Sequence, residues 1–156
     1  MFKGEFLHNI DDKSRFVMPA KMREALGTSF VLTRGLDGCL FAYAQNEWQQ
    51  LEGKLQQLSF TKADSRAFSR MFFSGAADIE ADKQWRVLIP AHLREFAGLE
   101  KDIVIIGVGT RVEIWDKAKW ERYSTEVATS YEAIAEKLAD FDLDLDFERE
   151  PQKRET

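Results

Sequence analysis

The chain is written twice. Asp11-Asp-Lys-Ser-Arg-Phe-Val-Met-Pro-Ala-Lys-Met-Arg-Glu-Ala-Leu-Gly27 realigns 71 residues later with Asp82-Lys-Gln-Trp-Arg-Val-Leu-Ile-Pro-Ala-His-Leu-Arg-Glu-Phe-Ala-Gly98. Seven of the 17 pairs are identical, where composition alone gives about one. Three more (Val17/Leu88, Met18/Ile89, Met22/Leu93) exchange one apolar residue for another. At an offset of 72 the echo continues through Gly35/Gly107, Leu40/Val112, Tyr43/Trp115 and Trp48/Trp120. Each half therefore encodes the same unit of roughly 45 residues. Small units with several exposed strand edges rarely stand alone. The expectation is a pseudo-twofold domain with strands shared between its halves.

Within a unit the pattern reads strand, turn, strand, short helix, strand, strand, long helix, an α+β arrangement. Arg15–Met18 and Arg86–Ile89 are short β-favouring runs. Pro19 and Pro90 cannot donate a ladder hydrogen bond but suit the first turn of a helix. Ala20–Leu26 and Ala91–Ala97 then read as short helices, stopped by Gly27 and Gly98 as left-handed caps. Phe30–Thr33 with Leu40–Tyr43, and Ile103–Val108 with Val112–Trp115, read as paired strands. Three longer helices are expected: Asn46–Leu58, whose Trp48, Leu51, Leu55 and Leu58 make one stripe; Thr61–Phe73, capped by Thr61; and one from Asp116 to about Ala139. Such stripes are expected to roof a sheet. This divides the chain into a first repeat over 1–58, a linking helix over 59–75, a second repeat with its long helix over 76–140, and an acidic tail over 141–156, expected to be solvated and frayed.

The net charge of −5 argues against nucleic acid as a partner only until its distribution is considered. Residues 1–34 carry six basic against four acidic side chains, whereas residues 140–156 carry seven acids against three bases. The acidity belongs largely to the tail. One cysteine, Cys39, excludes an internal disulfide framework and any multi-cysteine metal site; in its glycine-flanked turn it reads as a buried thiol. His8 and His92 are far apart, and no metal-ligand or phosphate-loop motif occurs. No enzymatic activity, metal or cofactor is expected. With no apolar run of about 18 residues and no signal-peptide core, the expected setting is cytosolic.

What remains is a repeated Asp-x-x-x-Arg, Asp11/Arg15 and Asp82/Arg86. Its structural explanation is an aspartate that caps a tight turn while the arginine ties back to it. Two copies in matched places weaken that explanation as a complete one, because a pseudo-twofold brings both turns to related positions. An arginine opening a strand, with Lys3, Lys13, Lys21 and Arg23 nearby in sequence, offers planar donors to phosphate or to guanine O6 and N7.

At this point the sequence resembles the MraZ family of bacterial regulators, built from two SpoVT/AbrB-like repeats. The resemblance covers residues 1 to about 142. It rests on Met1-Phe2-x-Gly4-Glu5, on Asp11-x-Lys13-x-Arg15 leading to Pro19-Ala20, and on Asp82-Lys83-x-x-Arg86 leading to Ile89-Pro90. Val31-Leu-Thr-Arg-Gly-Leu-Asp37, Phe72-Phe-Ser-Gly-Ala76 and Val104-x-Ile106-Gly107 leading to Glu113-x-Trp115 add to it. The resemblance implies a swapped-hairpin, AbrB-like β-barrel with flanking helices. It implies a ring homo-oligomer of eight or more subunits, and recognition of direct repeats in double-stranded promoter DNA. It further implies repression of the division and cell-wall gene cluster, in the cytoplasm at the nucleoid. The implied DNA-binding residues are Arg15, Asp11, Lys13, Arg86, Asp82, Lys83 and Lys3. The family usually has glycine before each motif arginine, where this chain has Ser14 and Trp85. If that position needs a positive φ, tryptophan there costs about 1–2 kcal/mol. The alternative from another class is a protein-interaction scaffold or antitoxin-like module on the same fold.

Overall fold

Each half supplies four strands, and the strands pair across the halves. The computed structural model describes residues 1–139. The first half runs β1 (Glu5–Asn9), β2 (Arg15–Val17), α1 (Ala20–Leu26), β3 (Ser29–Arg34), β4 (Leu40–Ala44) and α2 (Gln45–Leu55). After α3 (Ala63–Gly75) the order repeats as β5 (Ala77–Glu80), β6 (Arg86–Leu88), α4 (Ala91–Ala97), β7 (Asp102–Val108), β8 (Arg111–Asp116) and α5 (Lys117–Ala128), followed by α6 (Tyr131–Ala139). Met1–Trp120 form one compact unit, and the described residues from Glu121 onward belong to a second.

The main sheet has the order β1-β7-β8-β4-β3-β5, and β2 and β6 pair separately as a two-stranded ribbon. Thus β1 of the first half lies on β7 of the second, and β5 of the second lies on β3 of the first, all antiparallel. The register is that of a pseudo-twofold. Leu40 faces Ile114 and Ala42 faces Val112 about the pair Phe41–Glu113. In the ribbon, Arg15 faces Leu88 and Val17 faces Arg86 about the pair Phe16–Val87. The axis passes through both central pairs. The expectation of shared strands holds.

Both faces of the sheet are buried, which is why β3, β4, β7 and β8 read as nearly continuous apolar runs rather than as alternations. On one face, Phe30, Leu32, Leu40, Ile103, Ile105 and Ile114 pack with Met22 and Leu26 of α1, Leu93 of α4, and Phe16 and Val87 of the ribbon. On the other, Val31, Phe41, Tyr43, Val104, Ile106 and Trp115 pack with Trp48 of α2 and Phe72 of α3. The α2 stripe does roof the sheet there, through Trp48, Leu51 and Leu55. The C-terminus of α3 is fastened by Thr33, whose buried hydroxyl donates to the Phe72 carbonyl at 2.6 Å, and by Arg34, which donates to the Met71 carbonyl at 2.7 Å.

The class α+β holds, but the sheet does not close into the expected barrel: β1 and β5 remain its edges. The only other strands among the described residues, β2 and β6, are three residues long and stop two residues short of Pro19 and Pro90, which cap the next helices. They are too short to join the edges, and they pair with each other instead. The C-terminal helix divides in two. At the break, the Thr129 hydroxyl donates to the Glu126 carbonyl, and the Ser130 N–H turns back to Val127, side-chain bonding that competes with the helical ladder. Thr61 does not cap α3; it shares a hydrogen bond with Ser59, and Lys62 stands at the cap. Gly98 is left-handed as expected, whereas Gly27 takes φ 79° with an extended ψ of 173°. The pairing of Gly35 with Gly107 also fails. Strand register makes Arg34 the counterpart of Gly107, since Arg34 faces Leu40 as Gly107 faces Val112. Gly107 is small for another reason: a Cβ there would lie 2.2 Å from the Lys3 backbone nitrogen. The tail over 141–156 lies outside the described residues.

Candidate nucleic-acid interface

The two Asp-x-x-x-Arg motifs fold into the same turn. In the first, Asp11 Oδ1 accepts the backbone N–H groups of Lys13 and Arg15 at 2.8 and 3.0 Å, and Oδ2 accepts Arg15 Nε at 3.0 Å. In the second, Asp82 Oδ1 accepts the N–H groups of Gln84 and Arg86, both at 2.9 Å, and Oδ2 accepts Arg86 Nε at 2.6 Å. The Arg15 N–H above all, helped by the Lys13 N–H and the Arg15 guanidinium, holds the Asp11 carboxyl below the ordinary carboxylate range. The Arg86 N–H, then the Arg86 side chain and the Gln84 N–H, do the same for Asp82. Both aspartates are ionised at neutral pH.

Each aspartate grips its arginine by Nε alone. Among the described residues neither Nη of Arg15 has a hydrogen-bond partner, while Arg86 Nη2 reaches Gln84 Oε1 at 3.2 Å. This leaves the end-on edge of Arg15, with two parallel donors, unbonded on a clamped side chain that is 26% exposed. Pairing of β2 with β6 brings the two turns together. Residues two apart on a strand share a face, so Arg15, Val17, Arg86 and Leu88 line the outer face while Phe16 and Val87 are buried beneath. The arginines stand on a diagonal, where neighbouring residues are about 7–8 Å apart. The result is a small two-stranded platform with a clamped cation at each end.

The lysines distribute unequally. Lys13 and Lys83 are exposed within the two turns. Lys3 lies at the opposite end of β1, beside Gly107, about 25 Å of extended chain from Asp11. The structure therefore brings together Asp11, Lys13, Arg15, Asp82, Lys83 and Arg86, and sets Lys3 apart.

The residue before each arginine does need a positive φ: Ser14 and Trp85 both sit at 60°. The second turn nevertheless reproduces the first bond for bond, so the indole does not distort it. Two arginines explain how the tips are held. Arg94 of α4 donates from Nη1 to Ser14 Oγ at 2.6 Å. Its repeat counterpart, Arg23 of α1, lies over the Trp85 ring at 5.5 Å from the centroid. Each repeat thus secures the turn of the other. Trp85 also packs against the core face that holds Phe16 and Val87. These roles for Arg23 and Arg94 were missed in the sequence, although both belong to the seven identities of the repeat.

Elsewhere the inventory is quiet. Cys39 is buried, and burial, then the charge of Glu113, pushes its thiol far above the usual range, so it is no nucleophile at neutral pH. Burial, then the charge of Arg23, lowers the pKa of His8. Among the described residues no three His, Cys, Asp or Glu side chains gather as a metal site, and no helix is long and apolar enough to cross a membrane.

Fold and site together define a tandem-repeat α+β protein whose halves exchange strands and present paired, aspartate-clamped arginines on either side of the pseudo-twofold axis. The family model described as "MraZ protein, putative antitoxin-like" matches twice, over residues 1–71 and 72–142. A transcriptional regulator MraZ of Heliobacterium modesticaldum is 62% identical over 143 residues, covering 92% of this chain and all of the relative. One from Acetivibrio thermocellus is 60% identical over 139 residues, 89% of this chain and 97% of its own. Another, from Pelotomaculum thermopropionicum, is 60% identical over 145 residues, 93% of this chain and all of its own. The chain belongs to the MraZ family.

Proposed function

We propose that this chain is a DNA-binding transcriptional regulator that lays the β2–β6 ribbon into the major groove of promoter DNA. The observation that carries the reading is the pair of arginines on one ribbon, each clamped at Nε by its own aspartate. A major groove admits a two-stranded ribbon, and an arginine with two free parallel donors, as Arg15 has, matches guanine O6 and N7; Arg86 offers the same edge when Nη2 exchanges Gln84 Oε1 for the base. Asp11 and Asp82 are positioning residues; Lys13 and Lys83 are suited to the flanking phosphates, and Lys3 to a phosphate further along. The relatives' name, transcriptional regulator, supports the reading and belongs to no enzyme class.

A body of nearly neutral charge makes few phosphate contacts, so a single subunit binds weakly. A ring homo-oligomer of eight or more subunits, facing direct repeats with several ribbons, recovers affinity through effective concentration. On this reading the protein is a cytoplasmic, nucleoid-associated repressor of the division and cell-wall gene cluster, in an AbrB-like swapped-hairpin fold. The test is a gel shift on a duplex of the promoter region upstream of its own gene, in low and in moderate salt. The unaltered chain should shift it at both. Arg15→Ala and Arg86→Ala should each lose about 1–3 kcal/mol per head, with little change in melting temperature because exposed ion pairs stabilise little. A shift confined to low salt and indifferent to repeat sequence would refute the reading in favour of a scaffold or antitoxin-like module. A monomer by light scattering at micromolar concentration would refute the ring.

A further inference from the structure

The outer face of the ribbon holds two residues that the arginine clamps do not use. Val17 and Leu88 are repeat counterparts, and both are exposed, by 38% and 59%. Singly exposed apolar residues are ordinary, but these two occupy matched places between the arginines. Val17 stands directly across from Arg86, and Leu88 directly across from Arg15. The ladder hydrogen bonds run from Met18 N–H to the Trp85 carbonyl and from Ile89 N–H to the Ser14 carbonyl. By alternation, Phe16–Val87 is also a hydrogen-bonded pair, and the two arginine pairs are of the non-hydrogen-bonded kind, whose side chains stand closest. Each clamped arginine therefore has an aliphatic residue directly across the ribbon from it, with Cβ atoms about 5 Å apart. Bases along one strand rise by about 3.4 Å per step, so a donor pair and an apolar group at this spacing meet neighbouring base edges.

We infer that Val17 and Leu88 are specificity-determining residues that pack on thymine C5-methyl groups beside the guanines read by Arg86 and Arg15. The inference rests on the proposed reading of major-groove DNA and adds a second chemistry to it. In that groove thymine alone presents an exposed methyl, and apolar side chains are its natural contact. The arginines recognise acceptors, the aliphatic residues recognise methyls, and the ribbon carries one of each per repeat.

The test compares the promoter duplex upstream of this chain's own gene with the same duplex in which deoxyuridine replaces thymidine, which removes only the methyl groups. Binding of the full chain is followed by fluorescence anisotropy at fixed salt. The unaltered chain should bind the deoxyuridine duplex about three- to fourfold more weakly for each methyl that is read. Val17→Ala and Leu88→Ala should bind the thymidine duplex correspondingly more weakly and show a smaller ratio between the two duplexes. Val17→Ile, which keeps an aliphatic surface, should retain the ratio. Both sites are solvent-facing, and unchanged melting temperatures would verify that the variants fold. Equal binding of the two duplexes by the unaltered chain, or an undiminished ratio in both alanine variants, would overturn the inference. Failure of the unaltered chain to bind either duplex above an unrelated one would overturn the DNA reading itself, and this inference with it.

Discussion

Replacing Trp85 separates two opposing contributions at one position. The residue holds φ at 60°, which costs a side-chain-bearing residue about 1–2 kcal/mol. Its ring is partly buried against the core and lies under Arg23. Trp85→Ala loses the packing and the ring–cation contact but keeps a Cβ in the left-handed region. A large-to-small change of this kind destabilises by about 3 kcal/mol. Trp85→Gly loses the same contacts and relieves the backbone, so it should destabilise by only about 2 kcal/mol. For a chain of this length each kcal/mol moves the melting temperature by about 2–4 °C. Glycine should therefore melt about 2–4 °C above alanine, with both below the unaltered chain. Ser14 serves as the internal control. Ser14→Ala and Ser14→Gly both lose the Arg94 hydrogen bond, and should differ by about 1 kcal/mol in the same direction. Thermal melts of the four variants decide the matter. Equal stability of the glycine and alanine variants would refute the strain argument. A Trp85→Gly variant more stable than the unaltered chain would refute the packing argument.

Three further outcomes follow from named contacts. His8 has a depressed pKa, so below its ordinary value near 6.5 the unfolded chain binds a proton that the folded chain resists; stability should fall as pH drops through that range, and His8→Gln should flatten the decline in melts between pH 7 and pH 5. Gly107→Ala would set a Cβ against the Lys3 and Phe2 backbones, at 2.2 Å from the Lys3 nitrogen, and overpacking against backbone should cost about 3 kcal/mol and increase amide exchange across β1 and β7. Thr33→Val should cost about 1–3 kcal/mol by stranding the buried Phe72 carbonyl, with increased exchange concentrated at the C-terminus of α3.

Much of the fold was legible because duplication supplies a second reading of every element. Both short helices and both hairpins stand where the shared pattern puts them, and the aspartate-capped turns follow from residue type and spacing. What escaped depends on long-range partners. Gly107 looked like the echo of Gly35, but its size is dictated by the Lys3 backbone, more than a hundred positions away in sequence. Thr61 had the right chemistry for a cap, and its hydroxyl found Ser59 nearer. The division between α5 and α6 turns on local side-chain bonding at Thr129 and Ser130, which a stripe of apolar residues does not record. At the site, Asp11, Arg15, Asp82 and Arg86 were readable from spacing. Their meeting on one ribbon was not, since it requires β2 to pair with a strand of the other half.

That pairing also explains how the chain accommodates unlike residues at equivalent tips. Ser14 and Trp85 differ in size more than almost any two residues, yet each is answered by the same arginine of the repeat, Arg94 by hydrogen bonding and Arg23 by lying over the ring. Because each helix grips the turn of the opposite half, neither arginine clamp belongs to one repeat alone. The aspartates set the local geometry of Arg15 and Arg86, the ribbon fixes their diagonal separation, and the crossed helix contacts hold the two turns to one body. A single isolated repeat lacks the opposing strand and the opposing helix, and so lacks both the platform and the grip on its turn. The two-arginine platform is a property of the duplication.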